Sequence, residues 1–541
     1  MTRAAAWLVV ALAVTGGRGS ICGKLPGSCN QDPQGVFHRS TPDPFDDPIL
    51  ARALVSVRIE SLTTGEVLYT RNSERHVVPA SNMKVVTLAV AAERLGWDFR
   101  YETRLEAAGR VSDGVLKGDL VIVGSGDPSI GSDDAGAAPV FAGWIRALRE
   151  AGIQRVHGRI VGDDDAFDDE GWGGGWAWDY LTAGYAAPSG GLSYNENVAV
   201  IRARPGAAVG APSEVLITPP GHGFVVDNRA STGTAGIRAT FSASRAFGSP
   251  TVETRGELPL GASETARTTP VLNPTLFFAR SLEAALVETG LVVRDGAWDI
   301  DELNAPIADG ERRTIARHIS PPLSTLAGHL MKASQNFYAE ALLKTIGRAA
   351  SGTGSADSGR RAVRNTLESW GLPSDAVVVY DGSGLSRYNY VTADAIVAIL
   401  RRMWESETHR GPFVATLPVA GHDGTLESRM RDGPLARRVQ AKTGTIANVR
   451  SLSGYLDTDS GEKIVFSVIA NHFTASSAQV DAIVERALLQ IAQSRNLQSP
   501  KSLDSSIFNQ SSIPDRKSSM QVTVPHPPSS RAAGSTPRSG S

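Results

Sequence analysis

Ser81 and Lys84 stand three positions apart in VVPASNMKVV, residues 78 to 87. On a helix, positions i and i+3 share a face, so the Lys84 amine can reach the Ser81 hydroxyl. A serine hydroxyl is a weak nucleophile at neutral pH until a neighbour takes its proton. Lysine can take it only when neutral; its ordinary pKa is about 10.4, and burial together with a second cation would bring it down. The helix N-terminus adds a positive field at the same place. The pair by itself is a weak signal, because about one chance Ser-x-x-Lys is expected in a chain this long. Ser460 and Lys463 (SGEK) are such a match, but they straddle a hairpin turn that does not aim one side chain at the other.

This chemistry calls for a second lysine and polar relays elsewhere. KASQNFYAEALL supplies Ser334 and Asn336 between two helical stretches, and VQAKTGTIANV supplies Lys442, Thr443 and Gly444 on a strand. Lys-Thr-Gly occurs once, whereas Ser-x-Asn recurs at Ser28, Ser193 and Ser494, so the setting and the downstream lysine favour Ser334. Ser-x-x-Lys, Ser-x-Asn and Lys-Thr-Gly, in that order, are the motif set of serine β-lactamases and penicillin-binding proteins. The chain resembles the class C low-molecular-mass penicillin-binding proteins, the D-alanyl-D-alanine carboxypeptidase/endopeptidase family. VGSGDPSI, YDGSGLSRYN, LPVAGHDGTL and SLSGYL follow in the family's order, and the resemblance spans roughly residues 48 to 490. The 253 positions between Ser81 and Ser334 also resemble the family, which inserts extra domains between its first two motifs.

The resemblance implies an α+β fold: a β-lactamase/transpeptidase-like domain, with an antiparallel sheet flanked by helices and a helical subdomain, carrying inserted β-rich domains. It implies a serine-type hydrolase that cleaves peptidoglycan stem peptides through a Ser81 acyl-enzyme and is inhibited by β-lactam antibiotics. Lys84 would be the base, Ser334, Asn336 and Lys442 the proton relay, and Thr443, Gly444 and Thr445 the substrate-binding strand. The backbone N–H groups of Ser81 and Thr445 would form the oxyanion hole. Arg387 matches an arginine associated with the side-chain end of the stem peptide. Asp179 stands in a Trp-rich stretch where relatives hold a diamino acid's amine; here Tyr180 follows it, where relatives often carry an acid. The tryptophans of that stretch are read as core rather than as platforms for sugars. A β-lactamase or esterase on the same fold, and a non-catalytic peptidoglycan-binding envelope protein, are the alternatives. No cofactor and no metal are expected.

The elements that must position these residues are legible from pattern. LVSVRIESLTTGEVLYTRN reads as a hairpin around a Thr-Gly turn, and SNMKVVTLAVAAERLG as a helix with Ser81 near its start and Gly96 as its stop. Residues 99 to 306 read as short β-runs rich in glycine and proline, and helical periodicity dominates from about Thr314. The end returns to strands (RRVQAKTGTIA, SLSGYLDT, EKIVFSVIAN) and a last amphipathic helix, so first and last strands can close into one sheet. The organisation expected is a signal peptide over 1–20, a linker over 21–47, the transpeptidase-like domain over 48–98 and 307–493, the insertion over 99–306 and a disordered tail over 494–541. The acidic run from Asp163 to Glu170 lacks the alternating ligand spacing of an EF-hand loop and reads as a solvated loop. Asp381 and His422 are read as loop structure rather than as triad members, since Ser81 lacks a Gly-x-Ser-x-Gly elbow. The ten histidines contain no His-Glu-x-x-His pattern.

Bulk composition narrows the partners. With 54 basic against 56 acidic side chains, nothing suggests nucleic-acid binding, and an anionic substrate must be met by a few local cations. Arg3 followed by the apolar run from Ala4 to Val14 matches a secretory signal and is too short to span a bilayer. The mature protein is expected to lack a transmembrane segment and to be extracytoplasmic, periplasmic or held peripherally in a bacterial envelope. Cys22 and Cys29, the only cysteines, leave the main domains without a disulfide framework.

Overall fold

The computed structural model describes residues 43–131, 138–307 and 312–494. Residues 1–42, which include the expected signal peptide, Cys22 and Cys29, and residues from 495 onward lie outside the described residues. Ordered structure begins before the expected boundary at Pro48. Phe45 is buried against Tyr69 at 5.6 Å between ring centroids, and the Tyr69 hydroxyl donates to Asp43 at 2.6 Å.

The sheet that joins the two ends of the chain forms. Its five strands run Val67–Arg71, Leu54–Ser61, Lys463–Asn471, Val449–Asp457 and Val439–Ile446 in spatial order, every pair antiparallel. The strand Lys463–Asn471 is buried almost throughout because both of its faces are covered, and successive side chains go to opposite faces. Val465 and Ile469 enter the core shared with the helices Met83–Leu95, Asn336–Ser351 and Ala393–Glu405. Ile464, Phe466, Val468 and Ala470 enter a second core against the terminal helix Ser477–Ala492.

The helix Met83–Leu95 is apolar on nearly all sides and buried from Met83 to Ala92, as a helix between a sheet and other helices must be. Ser81 sits in the 3-10 turn Ala80–Asn82 that leads into it, and Gly96, at φ +79°, ends it. Ala80 is held at φ +48°, a backbone region that residues with a side chain seldom occupy.

Residues between Glu102 and Ile319 build separate sheets. The largest, seven-stranded, contains the hairpin Glu102–Ser112 and Val115–Val123 and packs on the helices Ala138–Glu150 and Pro274–Glu288. The strand Arg312–Ile319, beyond the expected boundary at residue 306, pairs with Glu102–Ser112 in this sheet. The acidic run is anchored rather than simply solvated: the buried Lys344 donates to the carbonyls of Asp168 at 3.1 Å and Glu170 at 2.8 Å. Phe466 is fully buried. Phe466→Ala is expected to cost roughly 3–5 kcal/mol, read as a lower urea midpoint with little change in slope.

Candidate active site

Three chain segments meet around Ser81. Lys84, fully buried, places Nζ 3.0 Å from Ser81 Oγ, 2.7 Å from Asn336 Oδ1 and 2.9 Å from the Ser383 carbonyl. Lys442, equally buried, places Nζ 2.8 Å from Ser334 Oγ and 2.9 Å from the Thr443 carbonyl. Ser334 lies between the helices Leu323–Lys332 and Asn336–Ser351 with φ +60°, which turns its hydroxyl toward the strand that carries Lys442. Asn82, beside Ser81, donates to the Lys442 carbonyl at 3.0 Å and ties the helix turn to that strand.

Two glycines permit the approach. A Cβ on Gly444 would lie 2.2 Å from Ser451 Oγ and 3.0 Å from the Ser81 nitrogen. Only a residue without a side chain lets the strand run beside the turn. Gly384 has φ +86°, and a Cβ there would lie 1.8 Å from the Ala80 carbonyl oxygen. The loop holding Ser383 can therefore close under Lys84.

Burial is the main reason that Lys84 is brought down to about 7, with the Asp381 and Glu340 carboxyls opposing it. Of the two expected causes burial leads, and the repulsion between the Lys84 and Lys442 ammonium groups is mutual and works in the same direction. Burial also takes Lys442 well below the ordinary lysine range, and there the Lys84 charge adds to the effect. Glu340 is buried, accepts from the Gly382 and Ser383 N–H groups, and is pushed up to about 7 by burial and by Asp381. Asp381 accepts from the N–H of Gly384 at 2.7 Å, Ser386 at 2.6 Å and the Trp176 indole at 2.8 Å. His422 meets Arg437 instead of Asp381.

Ser81, Ser334, Asn336 and Thr445 line one cleft of about 750 Å³, together with Tyr180, Tyr185, Gly384, Leu385, Ala447 and Phe473. Thr443 Oγ1 lies 2.7 Å from Thr425 Oγ1, and Arg450 donates to the Thr445 hydroxyl. Arg387 donates to the Ala447 carbonyl at 2.9 Å, at the cleft margin. Asp179 is solvent-exposed in the turn Trp178–Tyr180 and is not among the cleft-lining residues, whereas Tyr180 is. The Asn336 amide donates to the Tyr185 carbonyl at 2.9 Å, so the Trp-rich stretch walls the site. Trp178 in that stretch is 82% exposed, against its reading as core. Ser460 and Lys463 take separate partners, Thr458 and Asp457. Asp164, Asp169 and Asp301 bring carboxylate oxygens within 4.8 Å of one another, in a cavity separate from the Ser81 cleft.

Several residues of the site carry no motif. Glu340 had a readable signal, an acid four positions after Asn336 with apolar Phe337, Ala341 and Leu343 around it. Asn82, Thr425 and the Ser383 carbonyl had none, because their contacts join segments far apart in sequence.

A serine hydroxyl beside a buried lysine amine, with a second lysine on a second hydroxyl, defines a serine hydrolase of the β-lactamase/transpeptidase class. The comparisons agree. The model of the D-Ala-D-Ala carboxypeptidase 3 (S13) family matches residues 42–492, and the chain belongs to that family. It is 33% identical over 455 residues to a D-alanyl-D-alanine carboxypeptidase of Actinomadura sp. (strain R39), covering 82% of each chain. It is 26% identical to D-alanyl-D-alanine carboxypeptidase DacB of Haemophilus influenzae, covering 81% of this chain and 89% of that one. Its fold is similar to the crystal structure of penicillin binding protein 4 (dacB) from Haemophilus influenzae, with a TM-score of 0.70 at 23% identity over 82% of this chain and 96% of that one. The chain is a serine-type D-Ala-D-Ala carboxypeptidase, a hydrolase. No helix among the described residues is long and apolar enough to cross a membrane.

With Lys84 brought down to about 7, its amine loses its proton as pH rises through that value. The second-order rate of acylation by benzylpenicillin is therefore expected to rise through about pH 7 and level off above it, measured by stopped-flow from pH 5 to 9.

Proposed function

We propose that Ser81 is the nucleophile and Lys84 its base in hydrolysis of the D-alanyl-D-alanine bond of peptidoglycan stem peptides. The observation that carries this reading is the single Lys84 amine held between Ser81 Oγ and Asn336 Oδ1. Ser81 Oγ bonds to the carbonyl carbon while its proton passes to Lys84. The C–N bond breaks, and Ser334, hydrogen-bonded to Lys442, gives a proton to the departing amine while the proton held by Lys84 replaces it, leaving Lys84 neutral again. Water then attacks the acyl-enzyme ester, giving a proton to Lys84, which returns it to the Ser81 oxygen as the ester bond breaks.

Thr443 and Lys442 receive the terminal carboxylate. Its negative charge offsets the burial that lowers Lys442 and so favours the ammonium form of that amine. The backbone N–H groups of Ser81 and Thr445 take the developing oxyanion, and losing one such donor costs about 3 kcal/mol of barrier. The side-by-side run of the Gly444 strand and the Ser81 turn supports that pairing. Arg387 meets the side-chain end of the stem peptide. Asp179 reaches an amine there only from outside the cleft, since Tyr180 takes the lining position.

The same chemistry cuts a cross-link wherever its donor carbonyl is a D-alanine, so endopeptidase activity belongs to this proposal. So does inhibition by β-lactams, in keeping with the similar Haemophilus influenzae protein, which has been crystallised with a novel β-lactam. Residues 1–20 act as a secretory signal, the insertion runs from residue 99 through the strand Arg312–Ile319, and the enzyme works in the bacterial envelope outside the cytoplasm.

Ser81→Ala is expected to lower D-alanine release from a pentapeptide by at least about 10⁴-fold and to abolish labelling by a fluorescent penicillin. Retained labelling would reassign the nucleophile. A penicillin adduct that persists for many minutes is expected; rapid turnover would instead make the enzyme a β-lactamase.

A further inference from the structure

Trp178 is 82% exposed, Tyr388 54% and Tyr380 41%. An exposed aromatic face is a standing loss of hydrophobic stabilisation, and clustered ones mark binding surfaces. These three belong to two segments that are fastened together. The Trp176 indole donates to Asp381 at 2.8 Å. The backbone of Gly174 and Gly175 runs against the tyrosines: a Cβ on Gly175 would lie 2.4 Å from Cδ2 of Tyr388, and one on Gly174 would lie 3.7 Å from Cδ1 of Tyr380. The Tyr380 and Tyr388 rings meet edge to face at 5.3 Å, with the Arg360 guanidinium 6.0 Å from the Tyr380 ring. Tyr380 and Tyr388 thus form a pair of exposed aromatic faces beside Arg360, and Trp178, three residues after Gly175, stands within about 11 Å along the chain of the Gly175–Tyr388 contact, which extends the pair into a shelf.

The shelf continues from the Ser81 cleft along both segments. Leu385 lines the cleft three residues before Tyr388, and Tyr180 lines it two residues after Trp178. Three residues span at most about 11 Å and a stem of four to five residues about 14–18 Å. A stem peptide whose end is at Ser81 can therefore bring whatever it is attached to onto this shelf. In peptidoglycan that attachment is an N-acetylated amino-sugar ring, uncharged on its ring faces, with an apolar C–H face and polar edges.

We propose that the Trp178–Tyr380–Tyr388 shelf binds a sugar ring of the glycan strand that carries the stem peptide. This rests on the reading of the cleft as the stem-peptide site. The C–H face of the ring packs on the aromatic faces, while its hydroxyl and acetamido edges meet Arg360 beside them. The enzyme thereby prefers glycan-borne peptides to free ones.

The test measures D-alanine release by the full chain from a disaccharide-pentapeptide and from the same pentapeptide without sugars. The wild type is expected to favour the sugar-bearing substrate by about tenfold in kcat/KM, chiefly through KM. Trp178→Ala, at an exposed position where folding is little affected, is expected to remove that preference while sugar-free turnover and penicillin acylation stay within about twofold. Tyr388→Ala should act in the same direction. Equal use of both substrates by the wild type, or an equal loss on both in Trp178→Ala, overturns the proposal. A self-associated form in sedimentation that Trp178→Ala disperses also overturns it, assigning the shelf to a second copy of the chain. If the wild type released D-alanine from neither substrate, the stem-peptide reading would fall, and the shelf's assignment with it.

Discussion

Two lysine amines are buried beside one cleft, each on a hydroxyl that lines it, and among the described residues neither forms an ion pair. Taking an ammonium out of water without a paired charge is costly, so such a group sheds its proton instead. The fold must then supply hydrogen-bond partners for both amines while keeping solvent away. The helix Met83–Leu95, buried from Met83 to Ala92, the five-stranded sheet and the two glycines at close approaches all serve that requirement. The same burial produces the reactivity: an amine near neutrality can accept the hydroxyl proton of Ser81, and one at about 10.4 could not at neutral pH.

The carboxyls beneath the site set the limit of this effect. Asp381 and Glu340 lie close enough to hold Lys84 up against its burial, yet both are occupied by backbone N–H groups of the loop 382–386. That loop also presents the Ser383 carbonyl to Lys84 and the Gly384 backbone to Ala80. One network thus sets the position of the Lys84 amine and its proton affinity together, and Trp176 connects it to the segment that walls the cleft.

The helix Met83–Leu95, the hairpin at the start of the folded chain and the strands at its end were legible because their apolar residues recur at the period of the element. Ser334 and Lys442 were legible because three motifs in fixed order outweigh any one of them. Trp178 was misread: an aromatic-rich stretch has the same composition whether its rings are buried or presented. Asp179 and Tyr180 are neighbours in sequence, and only the turn that contains them decides which one lines the cleft. The strand Arg312–Ile319 sits beyond its expected boundary because it opens on two adjacent exposed arginines and buries no residue fully, which leaves no apolar period to follow.

The amino-acid sequence by itself determined which residue types are available for the chemistry, their order along the chain and the local elements that carry them, because residue type and periodicity are local properties. Only the tertiary structure decided that Lys84 and Asn336, 252 positions apart, lie 2.7 Å from each other, and that both lysines are dry. Proton affinity depends on what surrounds a group once the chain has closed over it, and that surrounding comes from segments distant in sequence.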